Sequence, residues 1–108
     1  MAIATDIVEG TTSGDVAAVY TSSGNTALTW ATFTNTSGSA ATLTLHIVPN
    51  GGSATDQNMI LDAESIVAGD TFNLYTAGEK ILLETGDMIQ AWSDTASAVN
   101  AVFSYTSI

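Results

Sequence analysis

From Thr42 to Ile47 the chain alternates without a break. Leu43, Leu45 and Ile47 take one parity, and Thr42, Thr44 and His46 take the other. A two-residue period of this kind belongs to a strand with one face on a core and the other turned outward. Pro49 has no N–H to give to a ladder, so pairing ends there. Asn50-Gly51-Gly52 follows, and these residues accept positive φ, which lets the chain leave the sheet sharply.

The rest of the chain reads as more strands of the same kind. Val16–Thr21, 27–35, 58–66, 71–75, 80–84, 88–93 and 99–105 are strand segments separated by Ser/Gly/Asn/Asp turns. Met59, Ile60 and Ala63 also fit a helical face, but the short run continues into Ile66 and Val67, and a strand is expected. In the segment 27–35, Leu28 and Trp30 share one parity while Ala31 and Phe33 share the other. Either both faces are partly covered or a bulge shifts the register. Thr36-Ser37-Gly38-Ser39 is expected to close a hairpin onto the strand of residues 41–49. Two Gly-Asp turns, Gly69-Asp70 and Gly86-Asp87, place an Asp where its carboxylate bonds local backbone N–H groups. Turns every 8–12 residues predict an all-β chain, a single antiparallel β-sandwich or jelly roll of about eight strands. Residues 13–108 form that domain, and residues 1–12 are an N-terminal arm or first strand, pairing at a sheet edge or reaching a neighbouring subunit.

Composition narrows the function classes. The chain has 108 residues, 11 acids and a single base, Lys80, for a formal net charge of −10. Nucleic acid is an unexpected partner, because phosphates would be repelled and nothing would release their counterions. Anionic membranes are disfavoured for the same reason. Met1-Ala2-Ile3-Ala4-Thr5-Asp6 has neither the positive charge nor the apolar run of a secretory leader, and no stretch approaches the ~20 apolar residues of a membrane span. Cysteine is absent, so there is neither a disulfide framework nor a thiolate ligand or nucleophile.

Catalytic chemistry finds little footing. His46 is the only histidine, and no G-x-S-x-G elbow accompanies it. Its parity makes it a surface or interface histidine. One His without Cys leaves a transition-metal site dependent on carboxylates, and none stands at ligand spacing. Asp62 and Glu64 share a strand face, and Glu79 and Glu84 flank another strand, but neither pair is set beside an aromatic cleft as glycoside hydrolysis would need. No calcium loop or phosphate cradle is present. No cofactor, metal or catalytic residue is therefore expected. Trp30, beside Phe33, is expected in the core. Trp92 differs. If Ile89 and Ala91 face inward, Met88 and Trp92 face outward, and a Trp with a Met on an outer face suits a protein contact. Met88, Trp92 and His46 are the candidate interface residues.

Taken in order, Asn35-Thr36-Ser37, Ile47-Val48-Pro49-Asn50-Gly51-Gly52-Ser53-Ala54, Ile66-Val67-Ala68-Gly69-Asp70, Leu82-Leu83-Glu84-Thr85-Gly86-Asp87-Met88-Ile89-Gln90-Ala91 and Val102-Phe103-Ser104-Tyr105 form a pattern that spans residues 16–106. This pattern resembles small β-sandwich structural proteins of tailed bacteriophage virions. Those include capsid decoration (cement) proteins and head, neck, tail or baseplate modules. The resemblance rests on structural turns and brings no catalytic residues with it. It implies a non-enzymatic virion protein made in the host cytoplasm and located on the capsid surface. Its implied partners are the major capsid protein and further copies of itself, as a homo-oligomer for which a trimer is the expected form. The alternative it leaves open is a tail, baseplate or head-fibre module that contacts a host-surface glycan.

Overall fold

The computed structural model describes residues 2–74 and 80–108. Within them lie nine strands: β1 (Ala2–Val8), β2 (Ala17–Thr21), β3 (Thr26–Asn35), β4 (Ala41–Val48), β5 (Met59–Ile66), β6 (Thr71–Asn73), β7 (Ile81–Leu83), β8 (Met88–Ser93) and β9 (Val99–Ser107). A short 3-10 turn at Ser13–Asp15 links β1 to β2. The expected turn at Thr76–Glu79 lies outside the described residues.

The strands form two antiparallel sheets. One is ordered β1-β9-β3-β6 with β7 also paired to β3; the other is ordered β2-β8-β4-β5. β6 pairs with Thr32–Thr34 of β3 and β7 with Thr26–Leu28. They therefore share one strand position, and the sandwich has four positions per sheet. The chain changes sheet at almost every connection, which gives the order of a jelly roll. This arrangement is the all-β sandwich that the alternation predicts, with the eighth position split in two.

The inward faces meet in one core. Leu28, Phe33, Val99 and Phe103 of the five-stranded sheet pack against Leu43, Leu45 and Ile89 of the four-stranded sheet, and all seven are sealed from solvent. Phe103 lies at the centre, edge-on to Phe33 at 5.7 Å and tilted against Tyr20 at 5.4 Å between ring centroids. Such aromatic pairs add about 0.5–1.5 kcal/mol each beyond the area they bury.

Two expectations about the third strand need comment. The parity conflict is resolved by a bulge. Leu28 pairs with Tyr105 and Trp30 with the very next residue, Ser104. The extra residue, Thr29, donates its hydroxyl to the Ser104 carbonyl at 3.1 Å. Past the bulge, Ala31 and Phe33 point inward and Trp30 points out. Trp30 is 48% exposed, so it is not a core residue.

The hairpin expected at Thr36–Ser39 does not form. β3 and β4 belong to different sheets, and the turn between them is an arch across the end of the sandwich. Asn35 sets this arch. It is fully buried, and its Nδ2 donates to the carbonyls of Ile66 (2.8 Å) and Ser39 (2.9 Å). Its Oδ1 accepts from the Ser37 N–H (2.9 Å) and the Ser37 hydroxyl (2.7 Å). All the hydrogen-bonding capacity of that buried amide is used by the two loops it joins, as burial requires. Among the described strands, β4 and β5 are the consecutive pair that does bond, through the loop of residues 49–58.

Three turns repeat one geometry. Gly52 donates to the Pro49 carbonyl, Asp70 to Val67 and Asp87 to Glu84, at 2.8–3.0 Å. In each the third residue is a glycine, Gly51, Gly69 or Gly86, with φ of +79 to +85°. That is the φ a type II turn requires at its third position. Asp70 Oδ1 accepts the Thr71 N–H, and Asp87 accepts the N–H groups of Glu84 and Asn50, each at 2.9 Å. Both acids thus play the local role expected of them.

β1 pairs along its whole length with β9, from Ala2 opposite Tyr105 to Val8 opposite Val99. β5 is less regular. Its pairing with β4 slips twice, and Ala63 takes φ +50° at the irregularity, with its N–H held by the Thr44 hydroxyl at 3.0 Å.

Candidate functional site

The candidate interface residues lie on the outward face of the four-stranded sheet. Ile89, Ala91 and Ser93 of β8 are buried, so Met88, Gln90 and Trp92 project the other way and are partly exposed. The register places Met88 opposite Val48, Gln90 opposite His46 and Trp92 opposite Thr44. Directly paired residues share a face, so Met88, Trp92 and His46 lie on one surface, with His46 diagonal to the other two. The Gln90 amide lies 3.7 Å from the Met88 sulfur.

His46 faces outward but is only 5% exposed. The loop after β4 folds back over it. The ring Nδ1 stands 3.0 Å from the Thr55 carbonyl and 2.8 Å from Asn58 Oδ1, both acceptors, so Nδ1 carries the proton. Asn58 is itself fixed by the Thr55 N–H (3.0 Å) and by donating to the Ser53 carbonyl (2.8 Å). The surface histidine expected from parity is therefore a buried anchor for residues 53–58. Parity gives the face of a sheet but not what crosses that face. The half of the face that remains open is the β8 stripe.

Two acids bracket this stripe. Asp87 precedes Met88 and is tied to the backbone of Glu84 and Asn50. Asp94 follows β8, and its Oδ1 accepts the Thr42 N–H at 2.9 Å. The stripe is thus apolar and amide in character with a negative charge near each end. Such a surface fits a partner that offers an apolar patch flanked by basic groups.

Nothing in the described residues gathers three His, Asp or Glu side chains at a distance suited to a metal ion. Glu79 lies outside the described residues. The Asp62–Glu64 pair falls on β5, where the irregularity at Ala63 separates the two acids.

These features define a jelly-roll β-sandwich with an open stripe on one sheet and bonded, inward-looking turns. Comparison with protein-family models, curated proteins and solved structures finds no match.

Proposed function

We propose that this chain is a structural protein of a bacteriophage virion, a capsid decoration protein that binds the assembled head and stabilises it. The observation that carries the reading is the β8 stripe, where Met88, Gln90 and Trp92 stand together on a rigid sheet whose inner side is sealed. The resemblance of residues 16–106 to virion β-sandwich proteins supports the same role. The jelly roll is a fold that viral capsid domains use, although fold alone never fixes function.

In this reading Trp92 and Met88 seat on the capsid lattice, and the acids at the ends of β8 meet basic side chains of the major capsid protein. The protein acts as a homo-oligomer, with a trimer as the expected form. Several weak contacts made at once on a fixed lattice add up to a strong hold, because each later contact is intramolecular. Free capsid subunits cannot offer this, so the chain binds shells and not subunits.

The test is co-sedimentation with assembled capsids and with free capsid protein. Trp92→Ala is expected to weaken capsid binding about tenfold or more, the loss typical of a central aromatic anchor, while unfolding stays close to wild type. Gross unfolding of Trp92→Ala would place the side chain in the core instead. Capsid binding that ignores Trp92 and Met88 would end the proposal for this face.

A further inference from the structure

The opposite side of the sandwich carries a second and different surface. On the five-stranded sheet, Ala101 and Phe103 are buried, so Val102 and Ser104 face outward. Ile3 and Trp30 both pair with Ser104 and share its face. Leu82, paired with Ala27 next to Thr106, lies on the same side. Ile3 is 72% exposed, Leu82 67%, Trp30 48% and Val102 37%. The remaining outward positions of the described strands are Thr, Ser, Asn, Ala27 and the half-buried Ile7. No charged residue occupies any of them.

In a chain of net charge −10 this is a marked segregation. The described acids sit on turns, on the β5 edge, at the ends of strands and, for Asp6, on the inward side of the β1 edge strand opposite Ala101, while the outward positions of the described strands of this sheet stay neutral and hold four exposed large apolar side chains. Loss of charge together with an exposed aromatic is the composition of an interface centre. Among the described strands, the face has no acids to attract a basic partner and no bases to attract an acidic one.

We infer that this face, centred on Trp30, Ile3, Val102 and Leu82, packs against the same face of a second copy of the chain. Electrostatics selects the occupant. Two copies that meet by their turns or by the β5 edge bring acid against acid, whereas two copies that meet here bring none within the described strands. Size agrees. Four strand positions at ~4.8 Å spacing and about 30 Å of strand give roughly 600 Å² in projection before side-chain relief is counted. A standard interface takes about 800 Å² from each partner. The pairing leaves the β8 stripe, on the other sheet, free to face outward. A face that packs against itself is isologous and closes as a dimer, not as the trimer that the resemblance implies, so the inference stands apart from the proposed function and does not rest on capsid binding.

Sedimentation or native mass spectrometry of the intact chain tests it. The wild type is expected above the 11.1 kDa of one chain, falling to that mass in Trp30→Glu and in Leu82→Glu. Both positions are exposed, so circular dichroism should match wild type. Val67→Glu, also at an exposed apolar residue but in a turn, should leave the mass unchanged. Salt gives a second readout. The molecule is 21 Å across its thinnest dimension, so paired copies hold their net charges about that far apart. The screening length falls from about 30 Å at 0.01 M salt to about 8 Å at 0.15 M. Association should therefore tighten about tenfold or more across that range, opposite in sign to an interface built on ion pairs. A wild type that stays monomeric, a mass indifferent to Trp30→Glu, or association that weakens with salt would each overturn the inference. So would a glycan that binds through Trp30 to a monomer. An intact dimer without capsid binding would sink only the proposed function. A monomer that still binds capsids would sink only this inference.

Discussion

Replacing Asn35 by Ala tests how the two ends of the arch are held. The substitution removes the two Nδ2 bonds to Ile66 and Ser39 and the two that Oδ1 accepts from Ser37. The bond to Ile66 is fully buried, and stranding that carbonyl costs about 1–3 kcal/mol. The other three are within reach of water once the side chain is gone, and each is worth about 0.5–1.5 kcal/mol. The sum centres near 4–5 kcal/mol, against a total stability of roughly 5–15 kcal/mol for a chain of this length. At about 4 °C per kcal/mol the melting temperature should fall by about 15–20 °C. In urea the midpoint should drop while the slope stays the same, since the folded core is untouched. Ser37→Ala, which removes a half-buried hydroxyl bonded to Asn35 Oδ1 and to the Ser39 carbonyl, should cost about 1–2 kcal/mol, well short of Asn35→Ala. Asn35→Asp sharpens the case. It keeps the acceptor for Ser37 but sets a carboxylate oxygen against two carbonyls, which raises the folded-state pKa of the new acid. Relative to wild type, its stability should be best below the unfolded pKa of about 3.9 and should be lost as pH rises through the raised folded value. A loss below about 1 kcal/mol for Asn35→Ala would refute the reasoning, because the buried amide would then be carrying no part of the arch.

Two further predictions follow from particular contacts. Gly86 sits at φ +85°, and a Cβ there would come within 2.5 Å of the Asn50 side chain. Gly86→Ala should cost about 1–3 kcal/mol in urea unfolding, and adding Asn50→Gly should recover only the part due to collision, leaving the backbone strain; full recovery would show that φ is unimportant. Burial pushes the Tyr20 phenol above its ordinary value of 10.0, with Tyr105 adding to the rise and a hydrogen bond with Thr26 opposing it. The stability this gives is whole below about pH 10 and is lost as pH rises through the elevated folded value, so chemical unfolding should show an alkaline loss that Tyr20→Phe lacks. An equal loss in Tyr20→Phe would assign it to other groups.

The sequence speaks of faces more plainly than of neighbours. Period-two alternation in β4, β8 and β9 reads directly as an inner and an outer side, and Ile89 and Ala91 are inward as their parity requires. Three glycine turns are legible because only positive φ at the third residue makes such a turn easy. What alternation cannot state is which strand lies alongside. Thr36–Ser39 has the composition of a hairpin turn, yet the buried amide of Asn35 directs the chain across to the other sheet. The conflict in β3 announces a bulge without locating it, and the location decides whether Trp30 lies in the core or outside. His46 fails in the same manner, since its cover comes from residues nine and twelve positions further on. The neutral face around Trp30 was equally hidden. Ile3, Leu82 and Val102 come from three separate strands, and only the register brings them together.

The irregular β5 has a consequence for how copies of this chain behave when crowded. An edge strand is a template onto which another strand can add, and sheet growth of that kind is the route to fibres. At β5 two slips in register and the left-handed turn of Ala63 break the row of free backbone groups, and Asp62 and Glu64 stand beside the break. An incoming strand finds neither an unbroken ladder nor a neutral approach. The four-stranded sheet is closed to extension on that side, so molecules packed at high density do not share a sheet through β5.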